Sequence, residues 1–253
     1  MCSKSINFCV FSDLHSERYS DIYSKLANDI ASIIEQDNIQ FIINLGDTVG
    51  AAAEKSCAIE VLKNVTETFG VLSIDKHYVI GNHDLELLTK EEFNNITLSA
   101  RKKCYYSFDC GLFHFVVLDM NYHENGDSFA SGDFEWFNAF LPWDELLWLK
   151  NDLKQNANKS TFIFTHQNLD DRKKDNALHP EIISNANEIR NIFESAGNVL
   201  AVFQGHGHKE AKKIINGIEY FSIASSQAEP IFTIVNCSSR KLTTRTYRWA
   251  CKL

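Results

Sequence analysis

Gly81-Asn82-His83-Asp84 is the stretch on which the reading of this chain turns. It follows the apolar run His77-Tyr78-Val79-Ile80, so an amide, an imidazole and a carboxylate stand in a row where a buried strand would stop. A plain turn explains such a cluster when it is taken alone, because Gly and Asn accept positive φ and Asp caps a following helix. Recurrence argues for more: four other apolar runs in the same chain also end in side chains that bind metals.

Working outward, residues 7–11 form a short β-like run, and 20–36 carry Ile22, Leu26, Ile30, Ile33 and Ile34 at helical spacing. Phe41-Ile42-Ile43-Asn44-Leu45 reads as a buried strand. Residues 54–69 repeat the helical pattern through Ala58, Val61, Leu62, Val65 and Phe69, and 77–80 is strand again. This βαβαβ order predicts parallel strands with right-handed crossovers, so the carboxyl ends of all three strands share one edge.

Beyond Tyr105 the pattern changes. Runs at 105–108 and 112–118, joined by Asp109-Cys110-Gly111, predict a hairpin and the start of a second sheet. Residues 121–143 are an irregular, aromatic-rich excursion, followed by a helix over 144–155, a strand over 161–165, a helix over 185–196 and a strand over 199–203. Three or four strands follow over 211–249, around the turn signal Asn216-Gly217. There is no linker or repeat, so one domain over 1–253 is expected.

Composition narrows the classes. With 44% hydrophobic residues, 3 Pro and 11 Gly, the chain can build a substantial core. The net charge is -8 and the longest basic cluster is Arg172-Lys173-Lys174, which argues against a duplex nucleic-acid partner. Neither a signal-peptide core nor an apolar run of membrane-spanning length is present, so a cytoplasmic protein without a membrane partner is expected. Seven Cys with no Cys-x-x-Cys pair predict reduced thiols and exclude an all-thiolate zinc site.

Asp13 and His15 follow the first strand with one residue between them, a spacing that sends both side chains to one side of an extended backbone. Gly46-Asp47 follows the second strand, Asn82-His83 the third, His166 the strand at 161–165, and Gly205-His206-Gly207-His208 the strand at 199–203. Singly, Asp13 or Asp47 reads equally well as a helix cap, and His166 as a hydrogen-bonded core histidine. Two imidazoles flanked by glycines are harder to read that way, since glycine lets the backbone come close to an ion. Mixed His, Asp and Asn ligands suit Mn, Fe or Zn.

In order, Asp13-Leu14-His15, Gly46-Asp47, Gly81-Asn82-His83-Asp84, His166 and Gly205-His206-Gly207-His208 resemble the motif set of the calcineurin-like metallophosphoesterases. The resemblance implies a four-layer α/β/β/α sandwich of two mixed β-sheets flanked by helices, with two transition-metal ions at the edge where the strands end. By motif, Asp13, His15 and His208 would hold one ion, Asn82, His166 and His206 the other, and Asp47 would bridge them. His83 would be the non-ligand histidine at the substrate.

Such a pair of divalent or trivalent cations lowers the pKa of a water between them and clamps a phosphoryl oxygen for in-line attack by hydroxide. His83 is expected to assist the leaving group, with Asp84 or a nearby carboxylate orienting it. The sequence offers no Gly-x-Ser-x-Gly elbow, no Walker loop and no cysteine-phosphatase loop.

Within the family, Glu145-Leu146-Leu147-Trp148-Leu149 and Gly217-Ile218-Glu219-Tyr220 are similar to the branch of small-molecule phosphodiesterases and manganese-dependent ADP-ribose/CDP-alcohol diphosphatases. Gln167-Asn168 departs from the Pro-containing loop of many relatives. The expectation is a phosphodiesterase or diphosphatase acting on small phosphoester or nucleotide substrates; a phosphomonoesterase, including a phosphoprotein phosphatase, and a silent metal-binding scaffold are the alternatives. Tyr122 and His123, with Phe129, Phe134, Trp136 and Phe137, are candidates for a substrate wall. Oligomeric state is left open.

Overall fold

Phe8 is the residue around which two sheets meet. In the computed structural model, which describes residues 5–16, 21–50, 52, 54–97, 102–131, 138–175, 177–238 and 241–248, its ring stacks on Phe41 of the same sheet at 4.9 Å. The same ring stands edge-on to Phe115, Phe162, Phe164 and Phe203 of the other sheet, at 5.6 to 5.7 Å. Edge-to-face geometry suits the aromatic quadrupole and lets one ring serve several partners across the interface.

In chain order the first half contributes β1 (Ser5–Phe11), α1 (Ile22–Ile33), β2 (Phe41–Asn44), α2 (Lys55–Gly70), β3 (Asp75–Tyr78), α3 (Lys90–Thr97), β4 (Tyr106–Cys110) and β5 (Phe113–Val117). The second half contributes α4 (Trp143–Gln155), β6 (Ser160–Thr165), β7 (Lys173–Lys174), β8 (Ala177–Leu178), α5 (Ala186–Ala196), β9 (Val199–Gln204), β10 (Ala211–Ile215), β11 (Ile218–Ser222), β12 (Ile231–Ser238) and β13 (Lys241–Arg248). One sheet runs β13-β12-β1-β2-β3 and the other β10-β11-β9-β6-β5-β4. As the βαβαβ reading predicts, β1, β2 and β3 are parallel neighbours, in register Phe8 with Phe41 and Phe41 with Asp75. β5, β6 and β9 are also parallel, whereas β12 returns antiparallel to β1.

Alternation along β1 sorts its side chains between two cores. Ile6, Phe8 and Val10 face the second sheet, while Cys9 and Phe11 pack with Ile22, Leu26 and Ile30 of α1 and Val65 and Phe69 of α2. On the far side, Val116, Ile163 and Val202 pack under Leu146, Leu149 and Leu153 of α4 and Ile189 and Phe193 of α5. The layers are therefore helix, sheet, sheet, helix, the expected α/β/β/α sandwich.

Some elements have no counterpart in the sequence reading. A single 3-10 turn, His83–Leu85, follows β3, and α3 follows it. α3 starts from a reciprocal cap: Glu92 N donates to Thr89 Oγ1 (3.1 Å) and Thr89 N donates to Glu92 Oε2 (2.8 Å). The short ribbon β7-β8 lies in the loop after β6. Phe134, Trp136 and Phe137 of the aromatic excursion lie outside the described residues. Among the described residues no helix is long and apolar enough to cross a membrane.

Candidate metal centre

The seven candidate ligands come from five strand ends, three in the first sheet and two in the second. Asp13 and His15 follow β1, Asp47 follows β2, Asn82 follows β3, His166 follows β6, and His206 and His208 follow β9. Leaving the strands requires a sharp change of backbone direction. Among the described residues, nine that are not glycine have positive φ, and five of these are Asp13, His15, Asp47, His206 and His208, at 43 to 63°. Backbone strain concentrated in this way marks a site held in place by its surroundings.

Those surroundings can be named. The first two loops run alongside each other, with Asp13 N donating to Gly46 O (3.0 Å), His15 N to Asp47 O (3.1 Å) and Ser16 N to Thr48 O (3.1 Å). Two glycines permit the close approach of the rest: a Cβ on Gly81 would meet Asp47 Oδ1 at 2.2 Å, and one on Gly205 would meet Ser12 Oγ at 2.2 Å.

Three sets of potential ligand atoms result, each mutually within 4.8 Å: Asp13, His15 and His208; Asp47, His166 and His206; and His15, Asp47 and His83. Asp47 belongs to two of them. Its Oδ1 accepts the backbone N–H of His83 (2.9 Å), and its Oδ2 lies 3.1 Å from His166 Nε2 and 3.8 Å from His15 Nε2. Asp13 Oδ1 lies 3.3 Å from His208 Nε2, and Asn82 Oδ1 lies 3.1 Å from His166 Nε2. His166 Nδ1 donates to the Leu45 carbonyl (2.8 Å), which turns Nε2 toward the cluster.

Electrostatically the cluster is built for positive charge. Burial opposes ionisation of Asp47, but the charge on His166 outweighs it and holds the carboxyl well below the usual carboxylate range. Burial likewise opposes charge on His166, yet Asp47 beside it brings the imidazole up to about 9. The Asp13 contact raises His208, whereas burial lowers His15. The field that retains protons on these imidazoles favours cations in their place. Among the described residues, both ring nitrogens of His15, Asp13 Oδ1 and Asp47 Oδ2 are buried without a hydrogen-bond partner, as expected of metal-directed donors. The donor set of carboxylates, imidazoles and an amide, without thiolate, fits transition-metal ions of the Mn, Fe or Zn type.

The residues around His83 are arranged differently from the simplest expectation. The carboxylate in contact with His83 Nδ1 is that of Glu86, the residue that caps the 3-10 turn. Asp84 is fully buried and faces backbone: Oδ1 accepts N–H from Thr48 (2.9 Å) and Val49 (3.0 Å), and Oδ2 from Gly81 (2.8 Å) and Asp47 (3.1 Å). Asp84 thus shapes the Asp47 loop. The i, i+3 spacing of His83 and Glu86 was the sequence signal for this pair. Asn121, likewise unforeseen, is buried at the same sheet edge, where Nδ2 donates to Ile80 O (3.1 Å) and Oδ1 accepts from Gln167 Nε2 (2.6 Å).

Tyr122 and His123 are not brought into the ligand sets. Lys90 Nζ stands 3.5 Å over the Tyr122 ring, which lines a cavity of about 420 Å³ together with Lys103, Tyr105, Asp119 and Glu145. None of the candidate ligands lines that cavity. The His123 ring packs on Phe129 at 4.6 Å, the packing role open to an aromatic excursion.

Comparison with known proteins agrees with this architecture. The family model for calcineurin-like phosphoesterases matches residues 6–210. A manganese-dependent ADP-ribose/CDP-alcohol diphosphatase of Oryza sativa subsp. japonica is 24% identical over 227 residues, 76% of this chain and 70% of that protein. Among solved structures, a dimetal phosphatase from Danio rerio superposes with a TM-score of 0.77 at 16% identity, covering 96% of each chain. A Plasmodium protein described as the anchor in the inner membrane complex gives 0.67 at 13% identity, covering 96% of this chain and 84% of that one. Fold and family together define the class, a hydrolase acting on phosphoester bonds. The chain belongs to the calcineurin-like phosphoesterase family, whose members depend on two metal ions.

Proposed function

We propose that this chain is a phosphodiesterase or diphosphatase acting on small, nucleotide-like substrates through two transition-metal ions. The observation that carries the reading is the placement of Asp47 in two ligand sets, between His166 with His206 on one side and His15 on the other. Asp13, His15 and His208 would hold one ion, Asn82, His166 and His206 the second, with Asp47 shared. The likeness to the rice diphosphatase supports the substrate class and favours manganese. When bound, the two cations supply Lewis-acid polarisation of the phosphoryl group and acidification of water.

The chain's own residues supply the rest. Glu86 accepts the hydrogen bond of His83 Nδ1–H and holds the ring, so Nε2 is the nitrogen that would meet a leaving oxygen. Asp84 keeps the Asp47 loop in register, and His166 Nδ1 is committed to Leu45 O, so neither ligand needs to reorganise on binding. The buried floor, in which Asp13, Asp47, Asn82 and His166 are all at most 1% exposed, limits bulk water to one face.

The test is a substrate panel on metal-reconstituted protein: ADP-ribose, a CDP-alcohol, bis-p-nitrophenyl phosphate and p-nitrophenyl phosphate, with and without manganese. Manganese-dependent cleavage of diphosphate or diester substrates ahead of the monoester is expected. Turnover of monoesters alone would replace this reading with a phosphomonoesterase, and bound metal without any turnover would replace it with a scaffold.

A further inference from the structure

The loop after β6 carries charges that this chemistry leaves unused. From it Arg172 reaches Gly207, the residue between His206 and His208. A Cβ on Gly207 would lie 3.3 Å from Arg172 Nη1 and 3.7 Å from Nη2. The guanidinium therefore rests against the turn that supplies two candidate ligands.

Its position is fixed from behind. Arg172 Nε donates to both carboxylate oxygens of Asp170 (3.1 Å each), and Arg172 N donates to Oδ1 (2.9 Å). Asp170 is itself anchored, because Gln204 Nε2 at the end of β9 donates to its Oδ2 (2.6 Å) and Arg190 Nη1 of α5 donates to its carbonyl (2.8 Å). The other edge of the guanidinium is held less closely: Nη1 is paired with Glu181 Oε2 at 3.8 Å, beyond hydrogen-bond reach, that oxygen also stands beside Gly207, and Nη2 is buried with no hydrogen-bond partner among the described residues. A buried donor left unmatched is unfavourable, and a preorganised planar fork is suited to phosphate oxygens.

If the reacting phosphoryl group occupies the metal centre, an anion at Arg172 is a second one. Resting on the reading of the site given above, we infer that Arg172 is a specificity-determining residue that holds the second, non-reacting phosphate of a diphosphate-linked substrate. It favours such substrates over single phosphoesters through binding, not through chemistry at the reacting phosphorus.

Calorimetric titration of manganese-loaded protein with α,β-methylene-ADP and with AMP reads this contact without turnover. In Arg172→Gln the Kd for methylene-ADP should rise about tenfold or more while that for AMP changes less than about twofold, and Arg172→Lys, which keeps charge but loses the fork, should fall between. Equal weakening of both ligands, or no change in either, in a variant with wild-type melting temperature would overturn the assignment. Rates on ADP-ribose separate this from the diphosphatase reading. Selective loss of methylene-ADP binding beside a wild type that does not cleave ADP-ribose removes that reading and leaves Arg172 as the second-phosphate contact. Cleavage of ADP-ribose with no selective loss does the reverse.

Discussion

The Asp84 carboxylate accepts the backbone N–H of Asp47 at 3.1 Å, and its two oxygens gather three further amides, from Thr48, Val49 and Gly81. A buried carboxyl group, its pKa raised to about 8 by burial and by Asp47 beside it, is thereby used to fold the backbone that aims another. Asp84→Asn exchanges two acceptor oxygens for one acceptor and one donor, and the donor faces N–H groups. A stability loss of about 3 kcal/mol is expected, with weaker metal retention, read by denaturant unfolding and by elemental analysis. Unchanged stability and metal content would reduce Asp84 to a bystander.

Asp47→Asn tests the shared position directly. A neutral amide cannot balance two cations, so this change should remove activity and most bound metal, more than any other single ligand change. Two metals per chain by elemental analysis with near-normal turnover would refute the bridging role.

His83→Ala should spare the metals and lower turnover by about 100- to 10,000-fold, with a smaller loss for esters with good leaving groups such as p-nitrophenol. Glu86→Gln should shift rates in the same direction by about tenfold, since it acts only by holding His83. Equal losses on good and poor leaving groups would show that His83 orients the ester instead of protonating it.

Gly81→Ala probes the close approach of two loops. The added methyl would overlap Asp47 Oδ1 at 2.2 Å and Asp47 N at 2.3 Å, so the carboxylate must move. Loss of about 100-fold in activity is expected from such a displacement, with far-ultraviolet circular dichroism unchanged. Wild-type turnover would mean that the loop yields without disturbing the site.

A pH dependence of stability should arise far from the metal centre. His114 is 2% exposed, with Nδ1 2.8 Å from Asp109 Oδ1 and Nε2 2.7 Å from Asp152 Oδ2, while Lys159 and Ser107 bind the same two carboxylates. Burial opposes its charge, but Asp152 and Asp109 outweigh burial and raise its pKa above the ordinary histidine value. With the folded value above the unfolded one, the stabilisation is complete below about pH 6.5 and is lost as pH rises through the folded pKa. The melting temperature should therefore fall over that rise in wild type, and the fall should flatten in His114→Gln. Parallel profiles would exclude this clamp as the source.

What the sequence alone determined was everything that depends on local period and order. Apolar spacing placed α1, α2 and β1 to β3, and the rule for parallel crossovers put Asp13, Asp47 and Asn82 on one edge. The five motifs then carried the family. Only the tertiary structure decided which surfaces face each other. That Phe8 meets Phe162 and Phe203 follows from how two sheets stack, and no window of sequence contains both partners. The pairing of Glu86 with His83 was available in an i, i+3 spacing, and α3 in the cap formed by Thr89 and Glu92, but such short polar signals recur without structural consequence elsewhere. The removal of Tyr122 to the cavity under Lys90, and the meeting of Arg172 with Gly207 from loops 35 residues apart in number, were not legible at all. Side-chain direction at a loop is set by the contacts that close around it, and those contacts exist only once the chain has folded.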